Sequence, residues 1–242
     1  MNWYVHCEAN PLVNVDPRGL AGTSKAKLSE AALILLFTNN SAVIQESYDN
    51  SRRSIRISEQ YALSNGFTQI KTQGAGIFKR EVIVADTWFN EPDAYRHFIW
   101  NVYNVRDLGE RDAIIATNMH EINAFKDGWY ISGMDTCEQR AQGFILTKMN
   151  KDTLMDIWNN RVGIELGQNQ LFKSYSDEDL FKYARDNDML ILSPADVDRK
   201  YGFDDSYFSG EDWTVIVLWD YYGYKMTIMS ENKGKEIIKV NW

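Results

Sequence analysis

Cysteine is scarce in this 242-residue chain, and the two present, Cys7 and Cys137, form neither a disulfide framework nor a zinc-ligand cluster. Both read as free thiols. No stretch reaches the roughly 18 to 20 apolar residues that a membrane-spanning helix needs. The longest run is short, Ala31 to Phe37. The N-terminus lacks a basic segment leading into a hydrophobic region and a small-residue cleavage site, so no secretory signal peptide is read there. Positive charge is also in deficit. A formal net charge of -8 gives no overall attraction to phosphate backbones, and a nucleic-acid substrate is disfavoured.

Several chemistries lack their motifs. His120-Glu121 is not followed by the second histidine of H-E-x-x-H, because residue 124 is Ala. There is no G-x-S-x-G nucleophile turn and no G-x-x-x-x-G-K-[ST] phosphate loop, and Gly74-Ala75-Gly76 alone does not make a nucleotide site. What the chain does have is 44% hydrophobic and 13% aromatic residues, enough for a core built without metals or disulfides.

The hydropathy pattern predicts an α+β fold, a mainly helical body over about 25–193 closed by a small C-terminal antiparallel β meander over about 210–242. Lys25 to Phe67 reads as helices that stop at Asn65-Gly66, where glycine accepts the left-handed position. Thr68 to Phe89 reads as an irregular loop with one strand around Glu81 to Ala85. A strong helix start follows at Asn90, with a capping side chain, Pro92 in the first turn and Asp93 at the positive helix end. Further helices are expected at Arg111 to Phe125, Asp152 to Leu166 and Asp177 to Arg185, the last after a Ser176 cap. Strands are expected at Trp213 to Trp219, Tyr224 to Ser230 and Glu236 to Val240.

Histidine is scarce as well, with only three in the chain. His6 lies in the N-terminal tail and reads as incidental. On the helix from Asn90, Asp93, His97, Asn101 and Asn104 fall along one stripe. His120 and Glu121 accompany the small residues Ala113, Thr117 and Ala124 on the next helix. Asp156, Asn159, Asn160, Gly163 and Gly167 form a third stripe. Unpaired buried polar groups cost roughly 2 to 7 kcal/mol each, so converging stripes need mutual hydrogen bonds or a ligand. One reading is a buried network that merely fixes helix packing. The other is a site, with His97 or His120 as general base and Glu121 or Asp156 as its orienting acid. In that site Arg96, Asn159 and Asn160, with Asp93 and Asn101 nearby, bind an anionic or carbonyl group. A metal shared by His97, His120 and Asp156 or Glu121 is a further option, and the sequence names no cofactor.

Two stretches resemble known families. Asn10-Pro11, Asp16-Pro17, Gly19 and Leu20, with Tyr4 upstream, resemble the N-P-x-x-x-x-D-P-x-G-L segment that ends the shell of Rhs repeat proteins. The resemblance implies that residues 1–20 are the end of the shell, cut at about this motif, and that 21–242 are the toxin. It also implies a secreted antibacterial effector with three partners: the detached shell, a type VI secretion spike and a cognate immunity protein. Residues Asp93 to Trp100, His120-Glu121 and Met155 to Gly163 are similar to a toxin-like bacterial domain with the ordered pattern D-A-[FY]-R-H-x-x-W, H-E, M-D-x-x-N-N-x-x-G. That likeness spans about 86–193, with an apparent insertion at about Lys126 to Asn150.

Together these lead to the expectation of a hydrolase acting on a lipid, cell-envelope precursor or small metabolite. The alternatives are a nuclease or NAD-directed toxin, supported only by Arg52-Arg53 and Lys79-Arg80, and a noncatalytic binding or membrane-disturbing toxin.

Overall fold

A computed structural model describes residues 30–75, 79–124, 145–149 and 151–202, together with the segments 215–219, 226–230 and 236–240. The N-terminal motif, His6, both cysteines and most of the 126–150 insertion lie outside the described residues. The described chain is mainly helical with antiparallel sheet. It divides into two compact units, one made of 46–110 and 154–203 and the other of the described parts of 1–45, 111–153 and 204–242.

In chain order the helices are α1 (Glu30–Thr38), α2 (Ser41–Ser64), α3 (Glu91–Leu108), α4 (Glu110–Ala124), α5 (Lys151–Gln168), α6 (Asp177–Asp186) and α7 (Val197–Tyr201). The strands are β1 (Thr68–Gln73), β2 (Arg80–Ala85), β3 (Ile145–Met149), β4 (Val215–Trp219), β5 (Met226–Ser230) and β6 (Glu236–Val240). The helical stretch expected from Lys25 to Phe67 breaks at Asn39, whose φ of 54° no helix accommodates. It ends as expected: Gly66 takes φ 80°, and the Phe67 amide returns to the Ala62 carbonyl at 2.9 Å.

One correction concerns the strands. The sequence confines them to the C-terminal end apart from one strand near residues 81–85, yet β1 and β2 form an antiparallel hairpin in mid-chain, with Thr68 opposite Ala85 and Gln73 opposite Arg80. Most of β1 is exposed, so no buried face imposed an alternating pattern that could be read. In the other unit, β3, β4, β5 and β6 make a four-stranded antiparallel sheet in that order, with a register irregularity at Ile228/Met229.

The unit holding α3 and α5 is organised around a core of Tyr95, Phe98, Ile99, Val102 and Tyr103 from α3, which meet Val162 and Leu166 of α5 and Leu180, Phe181 and Ala184 of α6. Two glycines let α5 lie directly on the α3 backbone. A Cβ at Gly163 would fall 2.2 Å from the Phe98 carbonyl oxygen, and one at Gly167 would fall 2.9 Å from Val102 Cα. No larger residue permits this approach. Its consequence is local: the polar side chains of α3 and α5 are brought within hydrogen-bond reach of each other across the seam.

Among the described residues, no helix is long and apolar enough to cross a membrane.

Candidate functional site

The site starts from the entry into α3. Asn90 accepts a hydrogen bond from the Asp93 amide at 3.2 Å, and its own side-chain amide donates to the Asp86 carbonyl at 3.1 Å. The residue before it, Phe89, is held at φ 57°, an uncommon conformation for a bulky side chain. That turn aims the Phe89 N–H at the Asp93 carboxylate, 2.8 Å from Oδ2. The other oxygen, Oδ1, accepts from Arg96 Nη2 at 2.5 Å. Arg96 also lies over the Trp88 ring, 5.1 Å from its centre. Burial raises the Asp93 carboxyl above its ordinary value of 3.8, while Arg96 and the Phe89 amide act in the opposite direction.

One turn further along α3, His97 meets α5. Asn101 donates through Nδ2 to the His97 carbonyl at 3.0 Å, and a carbonyl can only accept, so the orientation of the Asn101 amide is fixed. The same Nδ2 donates to Asn160 Oδ1 at 2.7 Å, which fixes the Asn160 amide in turn. His97 Nδ1 sits 3.2 Å from that same Oδ1 and must therefore carry the proton. In the neutral ring Nε2 then presents its lone pair, with Arg96 Nη2 3.1 Å away as the donor. Two carboxylate oxygens face the same nitrogen, Asp156 Oδ1 at 3.4 Å and Asp93 Oδ1 at 3.8 Å.

Exposure grades outward across this set. The side chains of Asp93 and His97 are 2% and 5% exposed, and those of Asp156 and Arg96 are 17% and 20% exposed. The imidazole is thus a buried base with a preset tautomer whose Nε2 faces the buried Oδ1 of the partly exposed Asp156 and the partly exposed guanidinium of Arg96. Such an arrangement can accept a proton at Nε2, stabilise the resulting imidazolium through Asp156, and offer Arg96 to a developing negative charge.

The structure therefore brings together Asp93, Arg96, His97, Asn101, Asp156 and Asn160. Asn101 and Asn160 are buried positioning residues. Their hydrogen bonds go to the His97 backbone and ring, and it is Asn160, where the sequence suggested Glu121 or Asp156, that orients the imidazole. Asn159 stands apart from the group. It is fully buried, its Nδ2 donates to the Ile191 carbonyl at 2.8 Å, and its Oδ1 accepts from the Ile191 amide at 2.9 Å. Both ends of its side-chain amide thus tie α5 to the segment after α6. Asn104 likewise turns to α2, where Asn50 donates to it at 3.3 Å.

His120 belongs to the other unit, where Nδ1 lies 3.1 Å from Glu30 Oε2 on α1, and Glu121 is buried in that unit too. Sequence reasoning missed Trp88 and the Phe89 amide. The available signal was their place just ahead of a capped helix whose first turn carries an acid.

A family described as Domain of unknown function (DUF6973) matches residues 35–187, which include all three motif blocks and every residue of the His97 cluster. The chain belongs to this family. No curated protein and no solved structure matches it. In this DUF6973 member the matched span holds both helices that build the cluster, α3 and α5.

Proposed function

We propose that this chain is the toxic domain of an Rhs-type effector and hydrolyses a lipid, cell-envelope precursor or small metabolite of the bacterium that receives it. The observation that carries the hydrolase reading is the His97 imidazole, locked in its Nδ1–H form by Asn160 with Nε2 turned toward Asp156 and Arg96. In the proposed step, a water displaces Arg96 from Nε2, gives up its proton there and bonds to the acyl or phosphoryl centre of the substrate; the bond to the leaving group then breaks and the imidazolium returns the proton to that group. Asp156 steadies the imidazolium, and the freed guanidinium takes the oxyanion. The toxin reading rests on the N-P and D-P-x-G-L pieces at residues 10–20, and the acidic balance of the chain supports a substrate other than nucleic acid. The proposed partners are the detached shell, a type VI spike and a cognate immunity protein.

Expressing 21–242 in bacteria, with and without a periplasmic signal, tests both parts and separates envelope from cytoplasmic targets. His97→Gln and Asp156→Asn are expected to lower toxicity at least a hundredfold, in line with loss of a positioned base worth roughly 10² to 10⁴ in rate. Folded variants that remain fully toxic refute the hydrolase reading. His120→Ala, made in parallel, reports on the His120 and Glu30 pair separately, and turnover of DNA, RNA or NAD by the purified chain would redirect the substrate assignment.

A further inference from the structure

We propose that Asp93, His97 and Asp156 together hold one divalent transition-metal cation, at the position that the Arg96 guanidinium now caps. Three acceptor atoms converge there, His97 Nε2 and one oxygen from each carboxylate, all within 4.8 Å of one another. Bonds of about 2.0 to 2.2 Å to a shared ion put its ligand atoms roughly 3 to 4.3 Å apart. The two distances from Nε2, 3.4 and 3.8 Å, already lie in that range. A small rotation of Asp156, the more exposed carboxylate, closes the remaining pair.

A second observation is independent of those distances. A ligating histidine usually donates its other ring N–H to a fixed acceptor, which sets its tautomer and orientation. His97 does this through Asn160, itself fixed by Asn101 and the His97 backbone. Nε2 is therefore the nitrogen available for coordination, and it points at the two carboxylates.

Arg96 shows that this position favours positive charge, since its Nη2 lies 2.5 Å from Asp93 and 3.1 Å from Nε2. A guanidinium cannot coordinate a metal, so it must withdraw when the ion enters. It is the most exposed of the four side chains, so a rotation toward solvent clears the position. One imidazole with two carboxylates suits Mn²⁺ or Zn²⁺ better than Mg²⁺ or Ca²⁺, which favour all-oxygen sites. The inference rests on the hydrolase reading and changes the part His97 plays in it: with Nε2 on the ion, a bound water of lowered pKa would supply the nucleophile in place of proton transfer to Nε2, but the ion is tested by binding alone.

The experiment is calorimetric titration of the whole chain with Mn²⁺ alone, repeated with Zn²⁺, with circular dichroism to establish that each variant is folded. The expected result is one ion per chain, at least tenfold weaker binding for Asp156→Asn, and tighter binding for Arg96→Gln, which removes the competing cation. Arg96→Gln should also gain more thermal stability from Mn²⁺ than the wild type does, because the ion replaces the lost partner of buried Asp93. Absence of stoichiometric binding to the wild-type chain, or equal affinity in folded Asp156→Asn, overturns the proposal. Loss of toxicity in His97→Gln together with no Mn²⁺ binding to the wild type removes the ion and leaves hydrolysis standing. Specific Mn²⁺ binding with His97→Gln still toxic supports the ion and removes hydrolysis.

Discussion

Replacing Gly163 with alanine sets two effects of opposite sign against each other. Gly163 lies within α5, and in a helix interior alanine is favoured over glycine by about 1 kcal/mol. Against this, the new Cβ would sit 2.2 Å from the Phe98 carbonyl oxygen and 3.0 Å from Asn101 Cβ. The first of these contacts is with the backbone of a buried helix and cannot be relieved by a side-chain rotation. The helices must part by about 1 Å to restore ordinary contact, and overpacking of this kind costs about 3 kcal/mol, the upper end of the usual range. Parting them also lengthens the 2.7 Å bond from Asn101 to Asn160, at about 1 kcal/mol more. The net expectation is destabilisation by about 3 kcal/mol, which for a chain of this size lowers Tm by roughly 6 to 12 °C. Differential scanning calorimetry of the wild type and Gly163→Ala measures this directly. A variant as stable as the wild type, or more so, would show that helix propensity wins and that α5 does not rest on the α3 backbone as described.

Asn159→Leu removes both hydrogen bonds to Ile191 and leaves a buried N–H and C=O without them, at about 1 to 3 kcal/mol each and so roughly 2 to 6 kcal/mol together; urea unfolding that moves by less than about 1 kcal/mol would contradict the assigned role. Tyr61 supplies a pH-dependent case. Its hydroxyl donates to Glu91 at 2.5 Å, and burial, followed by that hydrogen bond, pushes its pKa up from 10.0 to about 12. A raised folded-state pKa means that the contribution to stability is complete below pH 10 and is lost as pH rises from 10 through 12. Tyr61→Phe should therefore show a shallower fall in urea midpoint across that window than the wild type, and identical slopes would refute the coupling.

How far the sequence reveals this arrangement depends on the range of the contacts that create it. The α3 start is legible because its determinants are local: Asn90, Pro92 and Asp93 act within one turn, and the Asn90 side chain does accept from the Asp93 amide. The Ser176 cap of α6 is legible for the same reason, with Ser176 Oγ accepting from the Asp179 amide at 3.1 Å. The polar stripes of α3 and α5 are legible as stripes. Which members face each other is not, because that is set by where two glycines let the backbones touch. Hence Asn159 and Asn160, adjacent and of one residue type, have different partners. Asn160 points into the α3 seam, and Asn159 is bound by the backbone of Ile191, 32 residues away. β1, and with it the pairing to the expected strand at β2, escaped for the opposite reason. Its backbone pairing is regular, but Ile70 and Ile83, opposite each other, are both exposed, so hydropathy carries no alternation to read.

The cluster also explains why the polar groups of α3 were not replaced by a simple apolar seam. A network meant only to fix helix packing gains most when every member is enclosed and satisfied, since a buried charge is costly to desolvate. Asn101 and Asn160 meet that condition. Asp93 does so only with Arg96 beside it, and burial still raises its pKa. Asp156 and Arg96 are partly exposed, yet both face the one ring nitrogen that the asparagines have turned toward them. For packing alone, either tautomer of His97 would serve, and a leucine would fill the space without the desolvation cost of two carboxylates. A preset tautomer, with Nε2 aimed at two carboxylates and a guanidinium, is what proton transfer or cation binding requires. Two enclosed amides that set the ring, a buried carboxylate held by Arg96, and a second carboxylate and a guanidinium that are partly exposed are the physical ground for treating the cluster as a site.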